Sequence, residues 1–322
     1  MAADFLRHSL YKTAMHTSTH TSPATCLPLQ GVRVLSLALN LPGPGALLRC
    51  HQMGAQCTKL EPVAAADQAS ADPMLHYSPQ AYAQLHAGIE LLQANLKSPE
   101  GQAQLHARLA QTDVLLTSFR PSALSKLGLD WGHLQTLHPR LNMVRIFGST
   151  APGEADHAGH DLTYQAEAGL VDHGHLPASL FADMNGAVMA SEAVLQTLLA
   201  RAQTGQGHCV DIGLAQAAQW LAWPRTWRMT TPDGDVGGAH AGYRMYRCQN
   251  AWVALAALEP HFAQRICEAA GLHDISGSVR EMRDPAVHAA IEAFMLCHTS
   301  AQIAALAAQK DIPLHLVMGG QP

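Results

Sequence analysis

The stretch LQGVRVLSLALNLPGPGALLRCHQMGAQCTKLEP, Leu29–Pro62, decides the fold class. VRVLSLAL is a short apolar run with the pattern of a strand buried on both faces. LPGPG (Leu41–Gly45) is a turn, and ALLRCHQMGA (Ala46–Ala55) reads as a helix ending near Gly54. QCTKLEP is a second strand, stopped by Pro62. Strand, helix and strand joined this tightly form one βαβ unit, which requires a parallel pair. A loose segment, VAAADQASADPM, follows, and then IELLQANL. A helix over SPEGQAQLHARLAQT, with Ser98 as its N-cap, leads into the strand DVLLTSF. FRPSALSKLGLDWGHLQTLHP reads as loop, helix, loop, helix, and LNMVRIFG as another strand. This alternation predicts an α/β protein with an open, Rossmann-like parallel sheet in the first half.

Further on, Ala187–Gly205 reads as a long helix, with FADMNGA placing Asp183 just before it. GHCVDIGLAQAAQWLA is a strand running into a helix. The glycine-rich PDGDVGGAHAG (Pro232–Gly242) is the best boundary. It predicts a large domain over residues 28–231, and a link with a small α/β domain over 232–322. In the latter, YRMYRCQNAWVALAAL gives two strands around a turn at Gln249–Asn250, and three helical segments follow. Residues 1–27, rich in Ser, Thr and His, read as a flexible arm rather than a signal peptide.

The bulk numbers exclude several functions. The chain has 322 residues, 48% hydrophobic and 14% charged, a folded composition. A formal net charge of -5 argues against a nucleic-acid footprint. No apolar run reaches about 18 residues, so no membrane span is expected. Seven scattered cysteines without a CxxC pair point to a reduced, cytoplasmic protein. There is no GxGxxG, no Walker A and no GxSxG, so dinucleotide, nucleoside-triphosphate and serine-hydrolase readings have no motif behind them.

The stretch HAGHDLTYQAEAGL (His157–Leu170) offers two chemistries. A metal site would use Asp156, His157, His160 and Asp161, with His173 and His175. No HExxH or paired CxxC supports it, and 20 histidines make chance clusters common, so no metal is expected. An acid–base pair needs two groups around one carbon. His160 supplies one and Asp183 is the candidate for the other. The competing structural roles are helix caps, for Asp161 and Asp183 alike. Spacing leaves these alternatives open.

Eight segments in register carry a resemblance that covers Leu29 to Met318. LQGVRVLSLALNLPGPG matches an opening strand and turn. MGAQCTKLEP resembles LGADVIKVEP, LLQANLKSPEG resembles VALDLKSPEG, and TSFRPSALSKLGLDW resembles ENFRPGVLARLGLGY. AGHDLTYQAEAGL, FADMNGA, TGQGHCVDIGLAQAA and WVALAALEPHF follow at the expected intervals. The chain so resembles the family III CoA-transferases (the CaiB/BaiF type), a group that includes the α-methylacyl-CoA racemases. The resemblance implies a Rossmann-like large domain, a small α/β domain and an interlocked homodimer. It implies acyl-CoA as substrate, with no tightly bound cofactor.

In the transferases the residue matching Asp183 is the nucleophile, which attacks the acyl-CoA to give an anhydride and then an enzyme thioester. In the racemases it is half of an acid–base pair, with the histidine of a GHD motif, here Gly159-His160-Asp161, as the other half across the α-carbon. Glu259, in Leu258-Glu259-Pro260-His261-Phe262, belongs beside that histidine. Lys59, Arg120 and Lys126 match cationic positions and Phe119 an aromatic one, and with Ser118 they are the candidates for holding CoA. Many transferases carry Tyr where His160 stands, which tilts the reading to the racemases, whereas GHCVDIGLAQAA is closer to the transferase form. The family's LNRGKRSVALDLK is LHAGIELLQANLK here (Leu85–Lys97), with Ala87, Ile89 and Glu90 replacing basic residues. A glutamate there is expected to repel CoA phosphates, and family chains usually continue past DIPLHLVMGGQP. Those departures raise a third reading, a homologue without activity.

Overall fold

The computed structural model describes residues 26–172 and 174–317. All but the last two residues of the expected arm, and His173, lie outside the described residues. Along the chain come β1 (Arg33–Ser36), α1 (Pro42–Gln52), β2 (Gln56–Glu61), α2 (Pro73–Tyr77), α3 (Pro79–Leu85) and β3 (Glu90–Gln93). Then follow α4 (Pro99–Leu109), β4 (Val114–Thr117), α5 (Pro121–Lys126), α6 (Trp131–Leu137), β5 (Asn142–Phe147), α7 (Asp161–Glu167), α8 (Phe181–Thr204) and β6 (Cys209–Gly213).

These six strands form one sheet in the order β3-β2-β1-β4-β5-β6, and every neighbouring pair is parallel. The chain lays strands outward from β1 and then returns to the other side of it at β4. The order therefore reverses between β1 and β4. In open α/β sheets the crevice beyond the carboxyl ends at such a reversal is where ligands bind. The central strand β4, VLLT, is buried along its whole length, as a strand covered by helices on both faces must be. Leu115 and Leu116 are fully buried there, each stabilising the sheet by about 1.5–3 kcal/mol. Leu35, Leu60, Leu105, Leu109, Leu124 and Met143 belong to one core with Leu115.

After β6 the chain forms α9 (Leu214–Leu221), α10 (Trp223–Thr226), β7 (Tyr243–Arg247), β8 (Trp252–Ala256) and α11 (Pro260–Ala269). It ends with α12 (Val279–Met282), α13 (Pro285–Leu296), α14 (Ser300–Lys310) and β9 (Leu314–Val317). The second sheet is antiparallel, in the order β7-β8-β9. Its buried residues Tyr246, Val253 and Leu255 pack with Ile266, Met282 and Ile291 from the helices. Among the described residues no single helix is long and apolar enough to cross a membrane.

The described residues divide into two compact units, one within residues 26–159 and 183–214, the other within 160–182 and 215–317. The division differs from a single break at the glycine-rich link. Residues 160–182 and 215–231 group with the antiparallel sheet instead of the parallel one. Two expectations about single elements are corrected. The loose segment after β2 ends in two short helices, α2 and α3, each opened by a proline at its first position. Helix α8 starts at Phe181 rather than Ala187, so Asp183 lies inside its first turn. The tail DIPLHLV contributes a strand, β9.

Candidate active site

In the first unit the carboxyl ends of β1 and β4 are tied together. Leu37 N–H donates to Leu116 O at 2.8 Å, and Leu39 N–H donates to Ser118 Oγ at 3.2 Å. Ser118 therefore closes the reversal point. Phe119 is half-buried against the core. Arg120, the N-cap residue of α5, and Lys126, in its last turn, are exposed. Lys126 also lines a groove of about 760 Å³ with Lys97, Ser98, Gln102 and Leu127. Of the candidate CoA cations, Arg120 and Lys126 are in reach of a ligand from solvent.

Lys59 is not. Its side chain is 0% exposed, and its Nζ lies 2.5 Å from Asp72 Oδ2, 2.9 Å from Glu61 Oε1 and 2.9 Å from His86 Nε2. An ammonium has three donors, and all three are taken. The expectation that Lys59 meets a CoA phosphate is corrected on that ground: it neutralises two carboxylates inside the protein. Ser70 and Tyr82 complete the knot, their hydroxyls donating to Glu61. Glu61, Asp72 and His86 also form a triple whose donor atoms lie within 4.8 Å of one another. The Lys59 ammonium fills the position a cation would take there.

Asp72 works in both directions. Its Oδ2 accepts from Lys59, and its Oδ1 accepts at 3.0 Å from Asn40 N–H and at 3.0 Å from Met74 N–H. The second bond caps α2. The first holds Asn40 at φ +64°, a left-handed conformation that costs about 1–2 kcal/mol for residues with a Cβ and is tolerated best by Asn. Tyr77 O–H, from the end of α2, donates to Asn40 Oδ1 at 3.2 Å.

Burial, with the Lys59 charge next, lowers the His86 imidazole below the ordinary histidine range. The folded protein therefore takes up that proton less readily than the unfolded chain does. Stability carried by neutral His86 is complete above about pH 6.5 and is lost as pH falls through the lowered native value. His86→Gln, which can still accept from Lys59, is expected to flatten the acid limb of the urea midpoint between about pH 7 and pH 5. An unchanged slope would refute this.

Asp183 is partly exposed in the first turn of α8, where the amino end of a 24-residue helix favours a negative charge. Two glycine contacts place this turn beside the start of α1. A Cβ built on Gly186 would stand 4.0 Å from Pro42 Cβ, and one on Gly45 would stand 3.0 Å from Ala187 Cβ. The helices approach this closely because those positions lack side chains. Partial burial, then the charges of Asp72 and Asp183, push up the Tyr77 phenol. Asp183 thus shares its surroundings with Tyr77 and the β1–α1 turn.

In the second unit His160 is the exposed N-cap of α7. Its N–H donates to Thr163 Oγ1 at 3.1 Å, and Thr163 O–H donates back to His160 O at 2.7 Å. The cap is therefore His160, not Asp161. Asp161 is buried as the first helical residue, and its carboxylate accepts from the Gln165 amide. Gln165 also donates to Ser179 O at 3.1 Å, which ties α7 to the segment before α8. Glu259 is exposed as the N-cap of α11, its carbonyl accepting from Phe262 and Ala263 N–H. Asp156 accepts from Ser122 N–H and Oγ–H and so secures the start of α5. His175 is an exposed surface partner of Asp172 at 3.9 Å.

Glu90 does not carry the repulsion expected of it. Its carboxylate accepts from Thr58 Oγ1 at 2.8 Å and from Arg108 at 3.2 Å. It is neutralised at the first residue of β3, away from the carboxyl ends of the strands.

A parallel sheet that reverses at β1/β4, with an aspartate at the helix beside it, defines a class of ligand-binding α/β proteins. The chain belongs to CoA-transferase family III, whose model matches residues 29–320. It is similar to the α-methylacyl-CoA racemase of Homo sapiens, 27% identical over 263 residues, covering 76% of this chain and 65% of the relative. It is also similar to the succinyl-CoA–D-citramalate CoA-transferase of Chloroflexus aurantiacus, 32% identical over 203 residues, covering 58% of this chain and 49% of the relative. The chain thus spans about half to two thirds of the length of these relatives. In fold it is similar to the crystal structure of a hypothetical protein from Mycobacterium tuberculosis. The TM-score is 0.76 at 22% identity, over 90% of this chain and 83% of that one.

Proposed function

We propose that this chain processes acyl-CoA, exchanging the α-proton of a 2-methylacyl thioester, with Asp183 and His160 as its acid and base. The observation that carries the reading is the presence of both groups at helix starts: a partly exposed carboxylate in the first turn of α8 and an exposed imidazole at the cap of α7. One removes the α-proton, negative charge gathers on the thioester oxygen as an enolate, and the other returns a proton to the opposite face. Glu259 supports the histidine in this reading. Ser118, Phe119, Arg120 and Lys126 hold CoA, with the cations on its phosphates and Phe119 against an apolar part. CoA comes and goes as part of the substrate, and the working form is a homodimer.

The second reading is CoA transfer between carboxylic acids. It is favoured by the 32% identity to a transferase. Here the Asp183 carboxylate attacks the thioester carbonyl and the C–S bond breaks. CoA thiolate leaves and an acyl-aspartyl anhydride remains. The thiolate then attacks the Asp183 carbonyl, releasing the donor acid and leaving an enzyme thioester for the acceptor carboxylate.

Mass spectrometry of 2-methylbutanoyl-CoA incubated in heavy water with succinate separates the two. Gain of one deuterium with the ester unchanged is the expected result. A new CoA ester without deuterium would replace it with transfer. Neither product, together with no CoA binding by calorimetry, would overturn both and favour the inactive homologue.

A further inference from the structure

We infer that Asn40 presents its carboxamide N–H groups to the carbonyl oxygen of an acyl thioester bound beside Asp183, and that Tyr77 and Asp72 are the residues that position it. This rests on the reading of Asp183 just proposed.

Asn40 lies four residues past the end of β1, at the point where the strand order reverses. Its main-chain N–H is bonded to Asp72, and its side-chain oxygen is bonded to the Tyr77 hydroxyl. The oxygen end of the amide is thus fixed, and its two N–H donors are turned the other way. Asn40 is only half-buried, which leaves its side chain within reach of a ligand. Asp72 is in turn held by the buried Lys59, which makes the station a rigid one. Asp183 belongs to the same neighbourhood, because its charge acts on Tyr77 and its helix starts against the start of α1.

Helix α1 itself is a poor source of donors. The first turn of a helix in this place commonly supplies backbone N–H groups to an anion. Here Pro42 and Pro44 carry none, and Gly45 N–H is bonded to Leu41 O at 2.9 Å. At most Gly43 is left. A side-chain amide two residues before the helix makes good that deficit. Both proposed chemistries build negative charge on the same oxygen, as an enolate or as a tetrahedral adduct, and a fixed neutral donor stabilises either.

The test uses Asn40→Gly, because glycine accepts positive φ without strain whereas alanine would not. The probe is 2-methylbutanoyl-CoA carrying 13C at the thioester carbonyl, read by infrared difference spectroscopy on the full chain. Binding to the unaltered protein is expected to move the carbonyl band to lower wavenumber. Asn40→Gly is expected to abolish most of that shift, to lower kcat about 10²–10³-fold and to leave KM nearly unchanged. Tyr77→Phe, at a residue 62% exposed, is expected to fold normally and to give a partial loss of the shift. An unshifted band in the unaltered protein, or a shift and kcat that survive Asn40→Gly, overturns the inference. So does failure of the ester to bind at all. If the ester binds but neither proton nor acyl group exchanges, the Asp183 reading fails by itself. The band then still judges Asn40.

Discussion

Asp183→Ala is expected to lower kcat by roughly 10⁴–10⁶-fold, the scale seen when a nucleophile or general base is deleted outright. CoA affinity should change only a few-fold, since the residues proposed to hold CoA are others. The expectation is the same for proton exchange and for transfer, because each routes its central step through this carboxylate. Asp183→Asn should fall as far, as it keeps the shape and removes the charge. The His160 variant then separates the chemistries. In proton exchange, His160→Ala should lose about as much as Asp183→Ala, because members of one unit are not additive. In transfer, an acyl group trapped by hydroxylamine should vanish in Asp183→Ala and survive in His160→Ala. Activity within tenfold of normal in Asp183→Ala would sink both readings.

Lys59→Met is expected to destabilise the protein by about 3–5 kcal/mol, the usual cost of leaving buried partners uncompensated. Surface pairs are worth at most about 1 kcal/mol, so Arg228–Asp233 or Arg108–Glu90, both well exposed, give no comparable effect. The difference is burial: Lys59, Glu61 and Asp72 are 0%, 2% and 0% exposed. Methionine keeps the length of the chain but removes the charge, and two carboxylates then face each other with no cation between them. The thermal midpoint should fall by roughly 10 °C, given about 2–4 °C per kcal/mol at this domain size. Zinc should restore part of the loss in the variant and none in the parent, since the vacated Glu61–Asp72–His86 triple has a ligand set for it. A midpoint within about 2 °C of the parent would show that the knot contributes little.

The large sheet was legible because its strands announce themselves as short apolar runs between turn signals. VRVLSLAL and DVLLTSF needed no tertiary information. The helices α2 and α3 were not, although ADPM and YSPQ each carry the signature of a cap residue before a first-turn proline. Their apolar content is too low for periodicity to reveal them. Lys59 was misread for a physical reason: a lysine in a strand looks like a surface charge until its partners are known, and they come from 2, 13 and 27 residues away. Glu90 was misread the same way, its partner Arg108 being on another element. Asn40 gave a weak signal, as asparagine is the residue that best accepts positive φ in front of a turn. Asp183 and His160 were already the candidate acid–base pair from residue type and placement, the resemblance supplied their roles, and the structure adds their local settings at two helix starts.

The interleaving of the two units has a consequence for how the chain is made. Strand β5 ends at Phe147, and its neighbour β6 does not begin until Cys209. A chain growing from its amino end therefore carries an unfinished sheet edge, with β5 exposed, while α7 and α8 emerge. The segment of residues 160–182 must in the same way wait for residues 215 onward before its own unit can close. Neither unit can be completed before the other has begun, and no single cut separates them. Dissection of this protein into halves would leave each half with a missing piece. Its folding is bound to couple the two units from the start.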